Sequence, residues 1–333
     1  LRTFHWSLMN NRRKLVIALG AGALAAPFAA RAQQQGKIPV IGIVFSSPNL
    51  LGYQIVKEGL RDAGYLEGKT VTIESRFWEG HSERLTGLME ELVRLNPAVI
   101  VIAAAPAISA AMRVTTSIPI VFVGVGGDPV ALGLVRTLAR PGGNVTGFTH
   151  MANQLGGKQV QLLKEAVPEI SRLAVLINPS NPNKDYFGGI EVAARKLGVK
   201  AYRVDAREAK NVEQAFAPIT RNSRSALIVQ PDAFFSTQGA RIATLATERR
   251  VPTITSFRTD VEAGGLLSYG PDLVEHYRGA ASYVDKILKG SKVGDLPVQR
   301  PTKFELVINM KTAKALGIKI PQSILILATK IIE

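Results

Sequence analysis

The sequence of 333 residues contains no cysteine. This absence excludes disulfide bonds, thiolate metal sites and cysteine nucleophiles, and it also excludes a lipid anchor attached to a cysteine. Histidine is scarce too, and the four histidines share no H-x-x-x-H spacing, so a zinc site is not expected. They are His5, His81, His150 and His276.

Three cofactor or catalytic motifs are also missing from the sequence. Gly124, Gly126 and Gly127 follow the fourth predicted strand and do not form the G-x-G-x-x-G of a dinucleotide site. The chain has neither the G-x-x-x-x-G-K-[ST] of a phosphate-binding loop nor the G-x-S-x-G that carries a serine nucleophile. We therefore expect no cofactor and no enzymatic activity.

The first residues of the sequence have the pattern of a leader. Arg12-Arg13-Lys14 is basic, residues 15–26 are apolar or small, and Ala30-Arg31-Ala32 offers a cleavage site. This order predicts a secretory signal peptide at 1–32, because the apolar run is shorter than the roughly 20 residues of a membrane-spanning helix. The paired arginines also resemble a twin-arginine signal. Together with the lack of cysteine, the leader predicts a free protein in a bacterial periplasm.

The positive charge of the chain is high but spread out. The formal charge is +15, and residues 1–32 carry five basic residues and no acidic one, so the remainder carries +10. A nucleic-acid surface needs basic residues clustered on one face with aromatic residues between them, whereas here lysine and arginine are scattered. We interpret the charge as a solvated basic surface and expect no nucleic-acid partner.

After the leader, short β-branched runs alternate with amphipathic helical segments. The predicted strands lie at 38–45, 70–77, 98–104, 119–124, 173–178, 200–205, 226–230, 253–256, 266–269 and 303–309. The main predicted helices lie at 52–63, 82–95, 155–167, 186–197, 237–249 and 272–289. Asp272 and Gly290 suit the two ends of the last helix. The alternation predicts an α/β fold, and its repetition on either side of 140–144 predicts two doubly wound parallel-sheet lobes.

Several motifs, taken in order, resemble those of one protein family. They are Asp128-Pro129-Val130, Pro141-Gly142-Gly143-Asn144-Val145-Thr146-Gly147-Phe148, Tyr269-Gly270-Pro271-Asp272, Lys286-Ile287-Leu288-Lys289-Gly290 and Leu296-Pro297-Val298-Gln299-Arg300-Pro301. With the leader and the two lobes, they resemble the periplasmic substrate-binding components of ABC importers, in the branch that includes tryptophan- and tyrosine-binding proteins. The resemblance covers essentially the whole chain after the leader.

The resemblance implies the type I periplasmic-binding-protein fold, in which two Rossmann-like lobes joined by three crossovers close on a ligand. We place the crossovers near 146–150, 267–270 and 299–302, where chain breaks and glycines suit hinges. The predicted lobes are 33–147 with 272–300 for the N-terminal lobe and 148–271 with 301–333 for the C-terminal lobe.

The resemblance also implies a function. The protein would be the solute-binding component of an ABC importer, capturing a small organic solute such as an amino acid or a related, for example aromatic, carboxylate. Its partners would be this solute and an inner-membrane permease, and we expect a monomer. The sequence leaves open a solute-sensing subunit of a signalling system, and an exported enzyme on the same fold is the less favoured alternative.

The strand pattern also predicts where a ligand binds. In open α/β sheets, ligands bind beyond the carboxyl ends of the strands. Applied to both lobes, with the crossovers added, this rule selects the candidate ligand-binding residues Ser46, Ser47, Ala105, Pro106, Asp128, His150, Asn178, Asp232 and Tyr269.

Several of these residues also suit a purely structural role. Ser46 and Ser47 precede a helix, where a hydroxyl either binds a carboxylate or simply caps the helix. Asp128 and Asp232 either bind an ammonium or hydroxyl group or cap a following helix. Tyr269 either stacks on an aromatic ring or lines the hinge. The sequence leaves these alternatives open.

Overall fold

Two β-sheets covered by helices make up the part of the chain that the computed structural model describes, residues 38–219 and 224–333. Pro39–Glu333 form one compact unit. The predicted signal peptide at 1–32 lies outside the described residues. None of the helices in the described ranges combines the length and the apolar character of a transmembrane segment.

The first sheet has five parallel strands in the order β2-β1-β3-β4-β5. The strands are β1 (Val40–Phe45), β2 (Thr72–Phe77), β3 (Val99–Ala103), β4 (Ile120–Val125) and β5 (Val145–Thr149). The connecting helices are α1 (Leu51–Asp62), α2 (Leu85–Arg94), which follows a 3₁₀ turn (Ser82–Arg84), and α3 (Ala105–Val114). Strands β1, β3 and β4 are apolar and almost wholly buried, because helices cover both faces of a parallel sheet.

The second sheet has seven strands in the order β12-β11-β10-β9-β8-β6-β7. The strands are β6 (Arg172–Ile177), β7 (Lys200–Asp205), β8 (Ser225–Val229), β9 (Thr253–Thr255), β10 (Leu267–Pro271), β11 (Phe304–Asn309) and β12 (Lys330–Ile332). The remaining helices are α4 (Ala152–Ala166), α5 (Tyr186–Lys196), α6 (Ala209–Ala215), α7 (Ala233–Thr237), α8 (Gly239–Glu248), α9 (Arg258–Glu262), α10 (Leu273–Leu288), α11 (Met310–Leu316) and α12 (Gln322–Leu327). Strands β10 and β11 are antiparallel, which departs from the predicted parallel arrangement, because β10 leads out of this sheet and β11 leads back into it.

Helix α10 returns the chain from the second sheet to the first. It begins after Asp272, whose Oδ1 accepts a hydrogen bond from the N–H of Val274 at 2.9 Å, and Gly290 follows its end with φ +97°. Both predicted helix ends are therefore confirmed. The helix packs closely on α1, where a Cβ atom at Gly52 would collide with the ring of Tyr277.

Three chain segments cross between the sheets and are hydrogen-bonded to one another. The N–H of Gln299 donates to the carbonyl oxygen of Gly147 at 2.9 Å, and the N–H of Thr149 donates to the carbonyl oxygen of Gln299 at 3.0 Å. The N–H of Asp272 donates to the carbonyl oxygen of Lys303 at 3.2 Å. The prediction of two doubly wound lobes joined by three crossovers is confirmed, whereas the residue boundaries of the lobes stay predictions.

Some elements differ from the sequence-based expectation. Residues 145–149, which overlap the crossover predicted near 146–150, also form strand β5 beside β4. The sequence pattern does not predict β12, because three residues are too few to show a period. The helix predicted at 237–249 corresponds to α8 (Gly239–Glu248). The sequence pattern does not predict the short helix α7 before it, which Gln238 separates from α8 because its φ −101° and ψ +5° lie outside helical geometry.

Glycine is required at position 270, where β10 passes close to the end of β9. A Cβ atom at Gly270 would collide with the carbonyl oxygen of Ser256. We expect Gly270→Ala to lower the free energy of unfolding by about 2–3 kcal/mol, because relief of the clash requires a shift of the backbone within the sheet. Urea denaturation followed by circular dichroism measures this loss.

Gly188→Ala is the matched control for this substitution. Gly188 is an exposed residue of α5, and a Cβ atom there would have no neighbour within 4 Å. Alanine favours the helix, so we expect the free energy of unfolding to rise by up to about 1 kcal/mol. Equal losses in the two variants would contradict a specific close approach at position 270.

Candidate functional site

A cavity of about 440 Å³ lies where the carboxyl ends of the two sheets meet. Residues that follow β1, β3 and β4 line one side, and residues that follow β8 and β9 line the other. This is the position that the topology of open α/β sheets assigns to a ligand. The volume lies within the range of about 300–1,000 Å³ that is usual for small-molecule sites.

The cavity brings together five of the nine residues predicted from the sequence. Five predicted residues line the cavity: Ser46, Ala105, Pro106, His150 and Asp232. The other four predicted residues do not belong to its lining: Ser47, Asp128, Asn178 and Tyr269. The strand-end rule therefore selects the edge of each sheet that borders the cavity, but it does not distinguish which polar residues at that edge line it.

The two serines after β1 have different surroundings. Ser46 is 2% exposed and lines the cavity, and its Oγ has no hydrogen-bond partner among the described residues. Ser47 Oγ instead accepts a hydrogen bond from the N–H of Asn49 at 3.2 Å and so stabilises the turn before α1. Of the two hydroxyls, that of Ser46 is therefore the one without a partner among the described residues.

Two helices begin at this side of the cavity. Helix α1 starts at Leu51 and helix α3 at Ala105, and both residues line the cavity. In this part of the described chain, neither N-cap residue, Leu50 or Ala104, makes a side-chain capping hydrogen bond. The first N–H groups of a helix lack partners within the helix and carry partial positive charge. This side of the cavity is therefore suited to an anionic group.

Asp232, on the opposite side, is held by its own neighbours. Its Oδ1 accepts hydrogen bonds from the N–H of Phe234 at 2.9 Å and from Nδ2 of Asn178 at 3.0 Å. Its Oδ2 accepts a hydrogen bond from Nδ2 of Asn181 at 2.6 Å. Burial raises the pKa of Asp232, although these hydrogen bonds act in the opposite direction. Asp232 therefore caps α7, and Asn178 acts on the cavity only through it.

Asp128 and Tyr269 contact other parts of the protein. Asp128 is exposed, and its Oδ1 accepts a hydrogen bond from the N–H of Val130 at 2.8 Å. Residues 129–134 form turns rather than the helix expected there, because the chain must turn before the crossover strand β5. The ring of Tyr269 stacks on Phe304 with centroids 6.1 Å apart. A hydrogen bond within a turn accounts for Asp128, and packing on Phe304 accounts for Tyr269.

Sequence reasoning missed three acidic residues that line the cavity, Asp260, Asp272 and Glu305. Asp272 caps α10. Glu305 Oε2 lies 3.4 Å from Nη1 of Arg258, another lining residue. Arg258 Nε also lies 3.5 Å from Glu262 Oε1. The charge of Arg258 is therefore balanced within the protein and is less available to a solute carboxylate.

Asp260 is an acidic lining residue that makes no ion pair among the described residues. Burial raises its pKa to about 7, although a hydrogen bond with Thr255 acts in the opposite direction, and within the described ranges no ion pair lowers it. Asp260 lies on α9, shortly after the carboxyl end of β9, so the strand-end rule could have been extended to it. A cation placed beside this carboxyl group would stabilise its charged form.

Aromatic rings form the apolar part of the cavity. Phe45, Tyr277 and Phe257 line it, and the ring centroids of Phe45 and Tyr277 lie 6.0 Å apart. Tyr277 belongs to α10, far along the chain from Phe45. The sequence gives no sign of this pairing, because the two rings meet only through the return of α10 to the first sheet.

The sequence matches one protein family over nearly its whole described length. The model of the family described as ABC transporter substrate binding protein matches residues 37–332. The tyrosine-binding protein of Clostridioides difficile (strain R20291) is 27% identical over 263 residues, which are 79% of this chain and 75% of that protein.

Solved structures share the fold across both lobes. A conserved domain protein from Vibrio cholerae aligns with a TM-score of 0.82 and 30% identity, covering 89% of this chain and 100% of that one. The ABC domain from Streptococcus pneumonia in complex with L-Trp aligns with a TM-score of 0.81 and 27% identity, with the same coverage of 89% and 100%. These likenesses confirm the predicted fold class.

Asp260 is expected to make the stability of the ligand-free protein depend on pH. Its pKa is about 7 in the folded protein and 3.8 in its usual environment, so the folded state binds more protons between these values and stability falls as pH rises through them. We expect Asp260→Asn to raise the free energy of unfolding at pH 8 by about 1–2 kcal/mol and to change it little at pH 4. Urea denaturation at both pH values measures this, and an equal effect at both would contradict it.

Proposed function

Since the chain belongs to the family of ABC transporter substrate binding proteins, we propose that it captures a small organic solute between its two lobes and delivers it to an inner-membrane ABC permease. Proteins of this family bind small-molecule solutes and work with an ABC permease. The predicted signal peptide and the usual extracytoplasmic location of the family support a periplasmic protein. We propose that it binds its solute without converting it.

The proposed solute is an amino acid or a related carboxylate, with an aromatic side chain. The observation that carries this proposal is the pair of helix N-termini at one side of the cavity, beside the unpartnered hydroxyl of Ser46. Backbone N–H groups, the helix dipoles and a hydroxyl together suit a carboxylate. The names of two similar proteins, one tyrosine-binding and one in complex with L-Trp, support an aromatic side chain.

The opposite side of the cavity suits the ammonium group of such a solute. Arg258 is already paired with acidic neighbours, and the carboxylate of Asp232 is occupied by hydrogen bonds. The carboxyl group of Asp260 is left to pair with a cation. The rings of Tyr277 and Phe257 line the cavity as well, and an aromatic side chain gains free energy by packing against such rings.

The proposed mechanism is closure of the two lobes about the three crossovers. The lobes are those placed at 33–147 with 272–300 and at 148–271 with 301–333. Because each lobe supplies part of the polar lining, a solute that contacts both stabilises the closed state relative to the open one. The closed protein then presents a surface formed by both lobes to the permease.

A thermal-shift series tests the class of solute. A solute present at about 1,000 times its Kd stabilises the folded state by about 4 kcal/mol, which raises the Tm by several degrees for a chain of this size. We expect a shift with at least one of L-tryptophan, L-tyrosine and L-phenylalanine, and none with neutral sugars. Shifts with sugars alone would contradict a carboxylate solute while leaving a binding protein.

The role of Ser46 is tested with the amino acid that gives the largest shift. Ser46→Ala removes a hydroxyl that would donate to the solute carboxylate, so we expect the Kd to rise about tenfold or more. Isothermal titration calorimetry measures the Kd. Ser47→Ala is the matched control, because the neighbouring hydroxyl faces the turn, and it should leave the Kd nearly unchanged. Similar losses in both variants would count against a carboxylate at this position.

A further inference from the structure

Two buried histidines lie beside the crossovers, and one of them, His150, lines the cavity. His150 follows β5, at the first crossover, and His276 lies in the first turn of α10, after the second. Each is 4% exposed. Their rings stack with centroids 5.9 Å apart and an interplanar angle of 17°. Neither ring has a role in the binding of carboxylate or ammonium described above.

The ring of His150 is fixed by packing rather than by hydrogen bonds. Within residues 38–219 and 224–333, neither of its nitrogens has a hydrogen-bond partner. Besides the stack on His276, it makes an edge contact with Phe257, with centroids 5.3 Å apart and an interplanar angle of 70°. A Cβ atom at Gly124, which lines the cavity, would lie 3.4 Å from Nε2. The Nε2 edge of the ring therefore lies beside Gly124, and both residues belong to the cavity lining.

The ring of His150 is uncharged at ordinary pH. Burial lowers its pKa to about 3, and the neighbouring His276 acts in the same direction. Burial also lowers the pKa of His276, against the influence of Glu275 and Asp272. A neutral imidazole has one donor and one acceptor nitrogen, and it has no charge with which to balance a carboxylate. It is suited to a neutral polar group.

Two unpartnered nitrogens in a buried side chain are unfavourable, and native proteins rarely leave such atoms unsatisfied. A solute that places a donor or an acceptor at one of these nitrogens removes part of this cost. A solute that places only hydrocarbon there leaves the cost in place. Sites built to hydrogen-bond a solute group discriminate strongly against analogues that lack it.

We propose that His150 is a specificity-determining residue, which hydrogen-bonds through Nε2 to a neutral polar group on the solute side chain, such as a phenol hydroxyl or an indole N–H. This inference rests on the proposed function, because it takes the carboxylate and ammonium of the solute to be held elsewhere in the cavity. The cleft would thereby distinguish polar aromatic side chains from a phenyl ring.

Calorimetric titration with L-tyrosine, L-tryptophan and L-phenylalanine tests the inference. The wild-type protein is expected to bind at least one of the first two about tenfold or more tightly than L-phenylalanine. In His150→Leu this ratio should fall to near one, with L-phenylalanine bound at least as well as before. His150→Gln keeps a donor and an acceptor and should retain part of the preference.

His276→Leu is the matched control, because it removes the stacked imidazole but no group that lines the cavity. The preference should persist in this variant. A wild-type ratio near one, or a ratio that survives in His150→Leu, overturns the inference while the binding itself upholds the proposed function. If none of the three amino acids binds, the proposed solute class fails, and the inference fails with it.

Ring-nitrogen NMR of the ¹⁵N-labelled wild-type protein reports the contact without a substitution, so the inference stays testable if His150→Leu does not fold. The Nε2 resonance of His150 is expected to move when the preferred polar aromatic amino acid is added. It should move much less with L-phenylalanine at matched occupancy. Equal movements with both solutes would overturn the inference.

Discussion

The backbone hydrogen bonds between the three crossing segments are the constraint on which the rest of the structure depends. Gln299 bonds to both Gly147 and Thr149, so the first and third crossings run side by side. The carboxyl ends of both sheets consequently border one cavity. Most of the groups that face this cavity then lie at strand ends or helix N-termini, where regular structure holds them in place. The geometry of the site is thus a consequence of the topology.

The cavity differs in charge from the rest of the protein. The chain is strongly basic, yet the lining includes Asp232, Asp260, Asp272 and Glu305, and Arg258 is paired with acidic neighbours. Opposite Asp232, Asp260 and Glu305 lie the positive ends of helices α1 and α3. The lining therefore offers groups of both signs to the zwitterionic solute that we propose.

Features that depend on neighbours along the chain could be predicted from the sequence. Buried β-branched runs marked the strands, and Asp272 and Gly290 marked the ends of α10, because capping and periodicity are local. The strand β5 was interpreted only as a crossover, since its pairing with β4 is a contact between distant segments. The helix expected after Asp128 is absent from the described chain for a similar reason, because the following turns are set by the path into β5.

The sequence by itself determined the α/β class, the division into two lobes and the edge of each sheet that borders the cavity. Only the tertiary structure decided which side chains at that edge are available. Ser47 Oγ has a hydrogen-bond partner in the turn before α1, whereas Ser46 Oγ has none among the described residues. Both carboxylate oxygens of Asp232 accept hydrogen bonds, whereas Asp260 makes no ion pair in the described ranges. The return of α10 places Tyr277 in the cavity lining. The physical reason is that a polar group is available only if no other group has already satisfied it, and its partners come from segments far apart in the chain.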